Sequence, residues 1–542
     1  MGNNKSRNNL FFSGVVILTF ANILVKVIGL LYKIPLHNLL KDEGMGYFNA
    51  AYKIYTMFYM VSTAGLPVAV SIMVSSSRTK GNRREVKLIF RSALTLFLII
   101  GTIGTTIMMV GSHGFAGLMK NSPAYICILA VAPTLFFICI CSAIRGYFQG
   151  YQNMVPTAVS EVLESLGKFL LGMLFALYAK NQGYSLPVVA AFALLGLTIG
   201  VVIGTLYIVI HRLLFKSEEY DAEFVEDKEA PVRSIGQLIK ALFVIAIPIS
   251  ISSSVMSVAD AIDSIVIQRT LQAVNYTAKE ATALFGNYST LAVSLYNLPP
   301  VLIYPISCAI VPYISSALAE KDIEKAKGVM TSSLKIASLI AIPAALGLSA
   351  LSKPVLGLLF SDADSVSLAA PLLSVLAIAV FFVGMLSVTN AILQANRHER
   401  MPIISMISGA VVKVSSSYLF MRFILPEGKE MFGAPIGTVL CYMTIAILNF
   451  VFIAKKIGLV PDFKVVFLKP FISAVPCVLV AIAVYVLLSG IHVKIATLCA
   501  IFVAVIVYFA TVFLLKAITK EEVLMIPKGQ KVYSLLHKLK LM

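Results

Sequence analysis

Charged residues are scarce in this chain of 542 residues, because Asp, Glu, Lys and Arg together make up 13% of it. An ordinary soluble domain carries about twice that share. Hydrophobic residues make up 59%, and the mean hydropathy is +0.90. This composition excludes a soluble globular protein. It is typical of a polytopic membrane protein, for which about 20 apolar residues per crossing set an upper limit of about 16 crossings.

Acidic residues are scarcer than basic ones. The chain carries 26 Asp and Glu against 44 Lys and Arg, a formal net charge of +18. In a soluble protein this excess would suggest nucleic-acid binding, but in a membrane protein basic residues concentrate in the cytoplasmic loops. With the N-terminus placed inside, most of the basic residues fall on the cytoplasmic side. We therefore expect both termini in the cytoplasm, loops that contact anionic inner-leaflet lipids, and no nucleic-acid partner.

The sequence patterns of catalytic and metal-binding sites are missing. It contains no P-loop, HExxH or GxSxG motif, its six histidines are scattered, and its seven cysteines lack paired spacing. We interpret the cysteines as small hydrophobic residues. The chain is therefore expected to be non-enzymatic, without a cofactor, a metal site or a disulfide framework, and without nucleotide-driven transport.

Long apolar segments predict an all-α membrane protein with about 14 transmembrane helices. The first segment continues through Asn22 and Lys26 without a small-residue cleavage site, which predicts a retained span. Prolines inside several segments predict bends, above all in predicted helix 8: Pro133, Pro248, Pro343, Pro299, Pro300, Pro305 and Pro312. The predicted helices lie near 10–34, 45–76, 88–111, 122–148, 156–179, 185–214, 237–268, 281–317, 328–350, 366–395, 402–424, 433–454, 466–488 and 494–516.

The order of these helices predicts two related six-helix lobes. An acidic linker separates the two blocks, and weak matches recur at a nearly constant offset, such as Lys168 with Lys413 and Ser75-Ser76 with Ser315-Ser316. Because each block has an even number of helices, a pseudo-twofold axis along the membrane normal would relate them, with a substrate site between the lobes. The predicted domains are 1–215, the linker 216–236, 237–456, and the two additional helices with the cytoplasmic tail in 457–542.

Eight charged residues fall inside predicted spans, where each costs about 2.5–3.5 kcal/mol on insertion scales. Such residues usually face a cavity or pair with one another, so they are the candidate functional residues. They are Lys26, Lys53, Lys168, Lys413, Glu161, Glu164, Asp260 and Asp263.

Lysines are the intramembrane charges of predicted helices 1 and 2. Lys26 lies near the midplane on a stripe with Asn22, and Lys53 shares a helix face with Asn49. Structural pairing of Lys26 and snorkelling of Lys53 are the alternative interpretations. Because basic groups in a cavity need a compensating charge, this pattern favours an anionic ligand such as a lipid-linked diphosphate.

The other intramembrane charges leave two interpretations open. On predicted helix 5, Glu164 precedes Lys168 in the favourable i,i+4 order, and Glu161 lies one turn earlier. Lys168 and Lys413 serve either structural pairing or function. On predicted helix 7, Asp260 and Asp263 either bind a coupling proton or sodium ion or act as counter-ions of the lysines.

Two local motifs carry a family resemblance. The segment Arg145-Gly-Tyr-Phe-Gln-Gly-Tyr-Gln-Asn-Met-Val-Pro-Thr-Ala-Val-Ser160, with Glu161 and Glu164 after it, resembles the loop and fifth helix of polysaccharide-export and lipid II flippase proteins. These belong to the multidrug/oligosaccharidyl-lipid/polysaccharide exporter superfamily. Gly65-Leu-Pro-Val-Ala-Val-Ser71 is similar to a stretch of its stage V sporulation protein B-like branch.

The resemblance implies a flippase of the bacterial cytoplasmic membrane that moves undecaprenyl-diphosphate-linked wall or polysaccharide precursors outward by alternating access. In lipid II flippases, basic residues on helices 1, 2 and 8 line the cavity, and helices 13 and 14 hold the lipid tail. Lys26 and Lys53 match the first two positions, where arginine is common. Arg269 is the candidate for the third, although it follows predicted helix 7. The tail groove would lie within 466–516.

Three hypotheses follow. The first is a lipid-precursor flippase whose anionic substrate binds Lys26, Lys53 and Arg269, with Asn22 and Asn49 nearby. The second is a sodium- or proton-coupled multidrug exporter that uses the two aspartates of predicted helix 7. The third is a membrane scaffold for a wall- or spore-coat-synthesis complex, with wall-synthesis proteins as partners.

Overall fold

The computed structural model describes residues 2–215, 227, 231–304, 314, 322–396, 398–458, 460–490, 492–515, 517–519, 530 and 533–534, with side chains from residue 17 onward. Helices dominate these ranges, and no strand occurs within them. The prediction of an all-α fold is therefore confirmed. Most of the predicted linker and tail lie outside the described residues, as do Pro305, Pro312 and Ser315-Ser316.

The chain forms two compact units, residues 1–286 and 287–542. The helices of the first unit carry most of the candidate site residues. They are α1 (Gly2–Thr63), α2 (Leu66–Thr79), α3 (Arg83–Val110), α4 (Ser112–Leu118), α5 (Ala124–Gly150), α6 (Val155–Asn181), α7 (Leu186–Leu214), α8 (Ile235–Ala273) and α9 (Ala278–Asn287), whose last residue begins the second unit.

The second unit continues with further helices and three π-helical turns. The α-helices are α10 (Val293–Tyr296), α11 (Ile323–Ala350), α12 (Ser352–Leu359), α13 (Ala363–Leu376), α14 (Ile378–Ala395), α15 (Arg400–Leu419), α16 (Gly433–Lys456), α17 (Lys469–Ser489) and α18 (Val493–Leu514). The π-helical turns are Tyr288–Ala292, Phe420–Ile424 and Lys464–Leu468. The division of the chain into lobes, linker and tail at 215, 236 and 456 stays a prediction.

Twelve helices among the described residues are long and apolar enough to cross a membrane. The first of these, Ile17–Thr79, combines α1 and α2, is long enough for two crossings, and includes most of predicted helix 1 and all of predicted helix 2. Predicted helix 8 is described up to residue 304 and at residue 314. In the first of these parts, a π-helical turn and a break at 297–298 interrupt it ahead of Pro299 and Pro300. A break thus lies directly before Pro299 in this helix, and the protein is a multi-pass membrane protein.

Helix α1 departs from the predicted boundaries. The predicted break between helices 1 and 2 is present as non-helical backbone at Lys41, where φ is 56° and ψ is −175°. The prediction of one helix over 45–76 was wrong, because the chain breaks at residues 64–65. At this break the Gly65 N–H donates to the Ser250 hydroxyl of α8 at 3.1 Å, and a Cβ on Gly65 would overlap the Ala246 carbonyl. The close approach of α8 therefore both requires a glycine and satisfies the freed backbone donor.

Glycines let α6 and α7 pack backbone against backbone. A Cβ on Gly196 would overlap the backbone of Gly172, and one on Gly200 would contact α6 one turn away. Small residues at this spacing are the usual means of close helix packing in membranes. The Tyr32 hydroxyl of α1 donates to the Ala193 carbonyl of α7 at 3.3 Å. Helix α6 is therefore held firmly beside α1, which places Lys168 near the lysines of that helix.

Candidate functional site

Four lysines of the first unit form a cluster, which we call the lysine cluster: Lys26, Lys33, Lys53 and Lys168. Lys26 and Lys33 lie on α1 before its bend, Lys53 lies after it, and Lys168 lies on α6. The strongest electrostatic neighbours of Lys33 are the other three. The two parts of α1 and the packed helix α6 thus bring four lysine side chains into one region.

Lys33 is not among the candidate residues predicted from the sequence, although it lies at the end of predicted helix 1. A signal was present, because Lys33 follows Lys26 by seven residues. Two helical turns return a side chain to the same face. The stripe that begins with Asn22 and Lys26 therefore continues to Lys33.

Aromatic rings hold Lys168 in place. Its Nζ lies 4.5 Å from the ring centroid of Tyr52 and 5.5 Å from that of Tyr32. Both rings pack near Phe48, with centroids 6.0 and 6.2 Å away. Contacts between cations and π faces stabilise an ammonium by about 0.5–2 kcal/mol. These contacts orient the Lys168 ammonium but do not neutralise its charge.

Asp260 of α8 contributes a carboxylate to the cluster. Its Oδ2 lies 3.1 Å from the Lys53 Nζ, and the two side chains are 35% and 26% exposed. The lysine cluster and Asp260 together thus comprise four lysine side chains and one carboxylate. This geometry favours the counter-ion interpretation of Asp260.

The two glutamates of predicted helix 5 belong to a different group, which we call the carboxylate network. Arg145 of α5 is buried, and its Nη2 lies 2.6 Å from Glu164 Oε1. Its Nη1 lies 3.9 Å from Glu161 Oε1, and its Nε donates to the Ser160 hydroxyl at 3.0 Å. Arg145 is not among the eight charges predicted inside spans, and the helical spacing favours Lys168 as the partner of Glu164. The structure assigns both glutamates to Arg145.

This network explains the family-like segment, because that segment begins with the arginine and leads into the helix that carries the glutamates. A buried charge is costly unless it is paired and hydrogen-bonded. Here each charged member meets a protein group of opposite charge. The segment thus has a structural role in joining α5 to α6.

The remaining predicted site residues lie elsewhere. Arg269 is exposed, and its Nε donates to the backbone carbonyl of Leu118 at the end of α4. It lies nine residues beyond Asp260, about 13 Å along α8. Asp263 is buried on α8, and Lys413 is buried on α15 of the second unit.

The two asparagines differ in exposure. Asn22 is exposed on α1 near Lys26, whereas Asn49 is buried. Of the predicted ligand-binding residues, Lys26, Lys53 and Asn22 therefore present accessible side chains on α1. The structure adds Lys33 and Lys168 to them.

The arrangement is suited to binding an anion with several charges. Membrane-embedded charges require compensation, and the lysine cluster brings Lys26, Lys33 and Lys168 close to the ion pair of Lys53 with Asp260. Lysine ammonium groups on flexible stems act as mobile point charges toward phosphate oxygens. An anion with two or more charges would thus complete the cluster.

Comparison with known proteins identifies the family. Residues 11–318, more than half of the chain, match the family described as polysaccharide biosynthesis protein, and residues 248–419 match the MatE family.

Three proteins of Bacillus subtilis (strain 168) are similar to the chain. The uncharacterized membrane protein YabM is 26% identical, over 83% of this chain and 81% of YabM. Stage V sporulation protein B is 25% identical, over 58% of this chain and 60% of that protein. Lipid II flippase MurJ is 23% identical, over 82% of each chain.

A solved structure of lipid II flippase MurJ in an inward closed conformation is also similar. It superposes with a TM-score of 0.68 at 15% identity, over 92% of this chain and 98% of that chain. The likeness shows the fold. With the family matches, it confirms the resemblance seen in the motifs. The chain therefore belongs to the polysaccharide biosynthesis protein family, within the multidrug/oligosaccharidyl-lipid/polysaccharide exporter superfamily of membrane transporters.

Proposed function

We propose that this protein is a flippase that carries an undecaprenyl-diphosphate-linked wall or polysaccharide precursor across the bacterial cytoplasmic membrane by alternating access. Both termini would lie in the cytoplasm. The observation that carries the proposal is the lysine cluster, with its ion pair between Lys53 and Asp260. Similarity to a lipid II flippase over most of both chains supports the same class of substrate.

The charge of the ligand is the first part of the argument. A diphosphate diester carries two negative charges and presents oxygens on every side. Several flexible ammonium groups can share these oxygens, whereas a cationic drug would be repelled by them. Lys26 and Lys53 are proposed to bind the diphosphate, with Lys33 and Lys168 completing the site.

The lipid is the second part. A polyprenyl chain stays in the bilayer while its head group crosses. Helices α17 and α18, with the π-helical turn before them, are the proposed tail groove, as the family resemblance implies. Both helices expose many large apolar side chains, including Leu479, Leu487 and Phe502.

A second candidate function is a multidrug exporter coupled to sodium ions or protons. It is favoured by the MatE match, since residues 248–419 include Asp260 and Asp263. For the flippase, the membrane potential or an ion gradient through the same aspartates is the proposed driving force. The charge of the transported molecule separates the two functions.

The test is a flipping assay in proteoliposomes that contain the full chain and a fluorescent lipid-linked diphosphate. Accessibility of the label to a membrane-impermeant quencher reports its leaflet. We expect the wild type to flip the lipid, and the double variant Lys26→Ala/Lys53→Ala to lose flipping while keeping its melting temperature. Lys455→Ala, which removes an exposed lysine of α16, is the matched control and should behave as wild type.

Two outcomes would contradict the proposal. If Asp260→Asn abolished export of a cationic drug while Lys26→Ala left it intact, the multidrug exporter would be correct. If cells of the double variant kept normal outer-leaflet precursor and normal wall synthesis, the protein would act as the scaffold of the third hypothesis.

A further inference from the structure

Lys53 differs from the rest of the lysine cluster because it touches a carboxylate of another helix. The Asp260 Oδ2 lies 3.1 Å from its Nζ, within normal ion-pair distance. The partly exposed side chains leave room for a third group to approach. The pair is therefore accessible to an anion that enters the cluster.

Such an anion competes with Asp260 for the same ammonium. A phosphate oxygen and the Asp260 carboxylate are both negatively charged, so each is attracted to the Lys53 ammonium. Because they repel each other, they cannot both lie close to it at low energetic cost. The neighbouring lysines attract the phosphate toward this position. Replacement of Asp260 by the phosphate is the arrangement that satisfies both the ligand and the cluster.

We propose that Asp260 is an internal competitor of the substrate, which holds Lys53 when the site is empty and yields it when the diphosphate binds. This inference rests on the proposed flippase function. When the substrate is released, the ion pair of Asp260 with Lys53 forms again, which lowers the affinity of the site for the departing head group. Asp260 is then a positioning residue, which acts on the ligand through Lys53.

A transporter needs such a device because binding must be weak enough for release. Without the carboxylate of Asp260, the lysine cluster would hold a multiply charged ligand more tightly in both conformations. A tethered carboxylate keeps the affinity moderate, and unlike a dissolved anion it cannot diffuse away. Removal of Asp260 should therefore tighten substrate binding and slow transport. Removal of a residue that only binds substrate would instead weaken binding and slow transport.

The experiment measures the dissociation constant of farnesyl diphosphate by calorimetry on the purified full chain in nanodiscs. We expect Asp260→Asn to lower the Kd about five- to tenfold and to slow flipping in proteoliposomes. Asp260→Glu keeps the carboxylate and should stay near the wild-type Kd. In Lys53→Gln/Asp260→Asn, the Kd should rise above the wild-type value, because the contested ammonium is gone.

Asp364→Asn is the matched control, since it removes one exposed carboxylate of α13 in the second unit and should leave the Kd unchanged. Melting temperatures of all variants report folding. If Asp260→Asn does not fold, Asp260→Ser makes the same test. An unchanged or higher Kd in the folded variant overturns the competitor role, while loss of binding in Lys26→Ala would still support the flippase. A wild-type chain that does not bind farnesyl diphosphate overturns both.

Discussion

The lysine cluster and the carboxylate network lie side by side in the first unit but have opposite character. Glu164 and Lys168 stand one turn apart on α6, and each belongs to one of the two groups. In the network, Arg145 and Glu164 are 8% and 14% exposed and lie 2.6 Å apart. In the cluster, the side chain of Lys26 is exposed and that of Lys53 is 26% exposed. A charged residue inside a span is therefore identified as structural or ligand-binding by its ion-pair partner and by the accessibility of its side chain. The presence of the charge alone does not distinguish the two roles.

The largest effect is expected from breaking the network. Arg145→Ala leaves two glutamates without their buried partner, which should destabilise the fold by about 3–5 kcal/mol. Thermal melting of the detergent-purified protein measures the loss. The double variant Arg145→Met/Glu164→Leu, which removes both charges and keeps apolar volume, should recover much of the melting temperature. If Arg145→Ala melted as wild type but did not transport, the network would be part of the transport site.

Removal of one lysine from the cluster should have the opposite signature. Lys33→Ala should weaken binding of a lipid diphosphate about tenfold, or about 1.4 kcal/mol, because one shared charge is lost. Its melting temperature should stay at or above the wild-type value, since relief of repulsion among the lysines offsets the lost packing. Calorimetry and melting curves on the same sample measure both. A fall in stability with unchanged affinity would make Lys33 a structural residue like Arg145.

The aromatic support of Lys168 should give a smaller effect. Tyr52→Phe keeps the ring under the ammonium and loses the hydroxyl, whereas Tyr52→Leu loses both. We expect near-wild-type flipping for the first and a fewfold lower rate for the second, in line with about 0.5–1 kcal/mol for an accessible cation–π contact. Tyr418→Leu, at an exposed ring of α15, is the control. Equal losses in both Tyr52 variants would assign the support to the hydroxyl alone.

The sequence predicted the fold well and the site in part. Hydropathy decides which segments cross a membrane, so helix number and type could be predicted. The break at Gly65 could not, because it depends on the approach of α8 from nearly 200 residues away. Likewise, all eight intramembrane charges carried the same insertion cost in sequence. Only tertiary contacts could pair Arg145 with Glu164 and Lys53 with Asp260.

Arg269 marks the point where family resemblance and geometry diverge. The resemblance offered it as the third basic residue of the cavity, but its contact is with the carbonyl of Leu118, and its side chain is exposed. Substitution of an exposed residue outside a network usually changes stability by no more than about 0.5 kcal/mol. We therefore expect Arg269→Ala to leave the Kd for a lipid diphosphate and the melting temperature nearly unchanged. A loss of affinity as large as that of Lys33→Ala, at unchanged stability, would return Arg269 to the binding site. It would then require α8 to move relative to α1 during transport, because Asp260 on the same helix is held at Lys53 in this conformation.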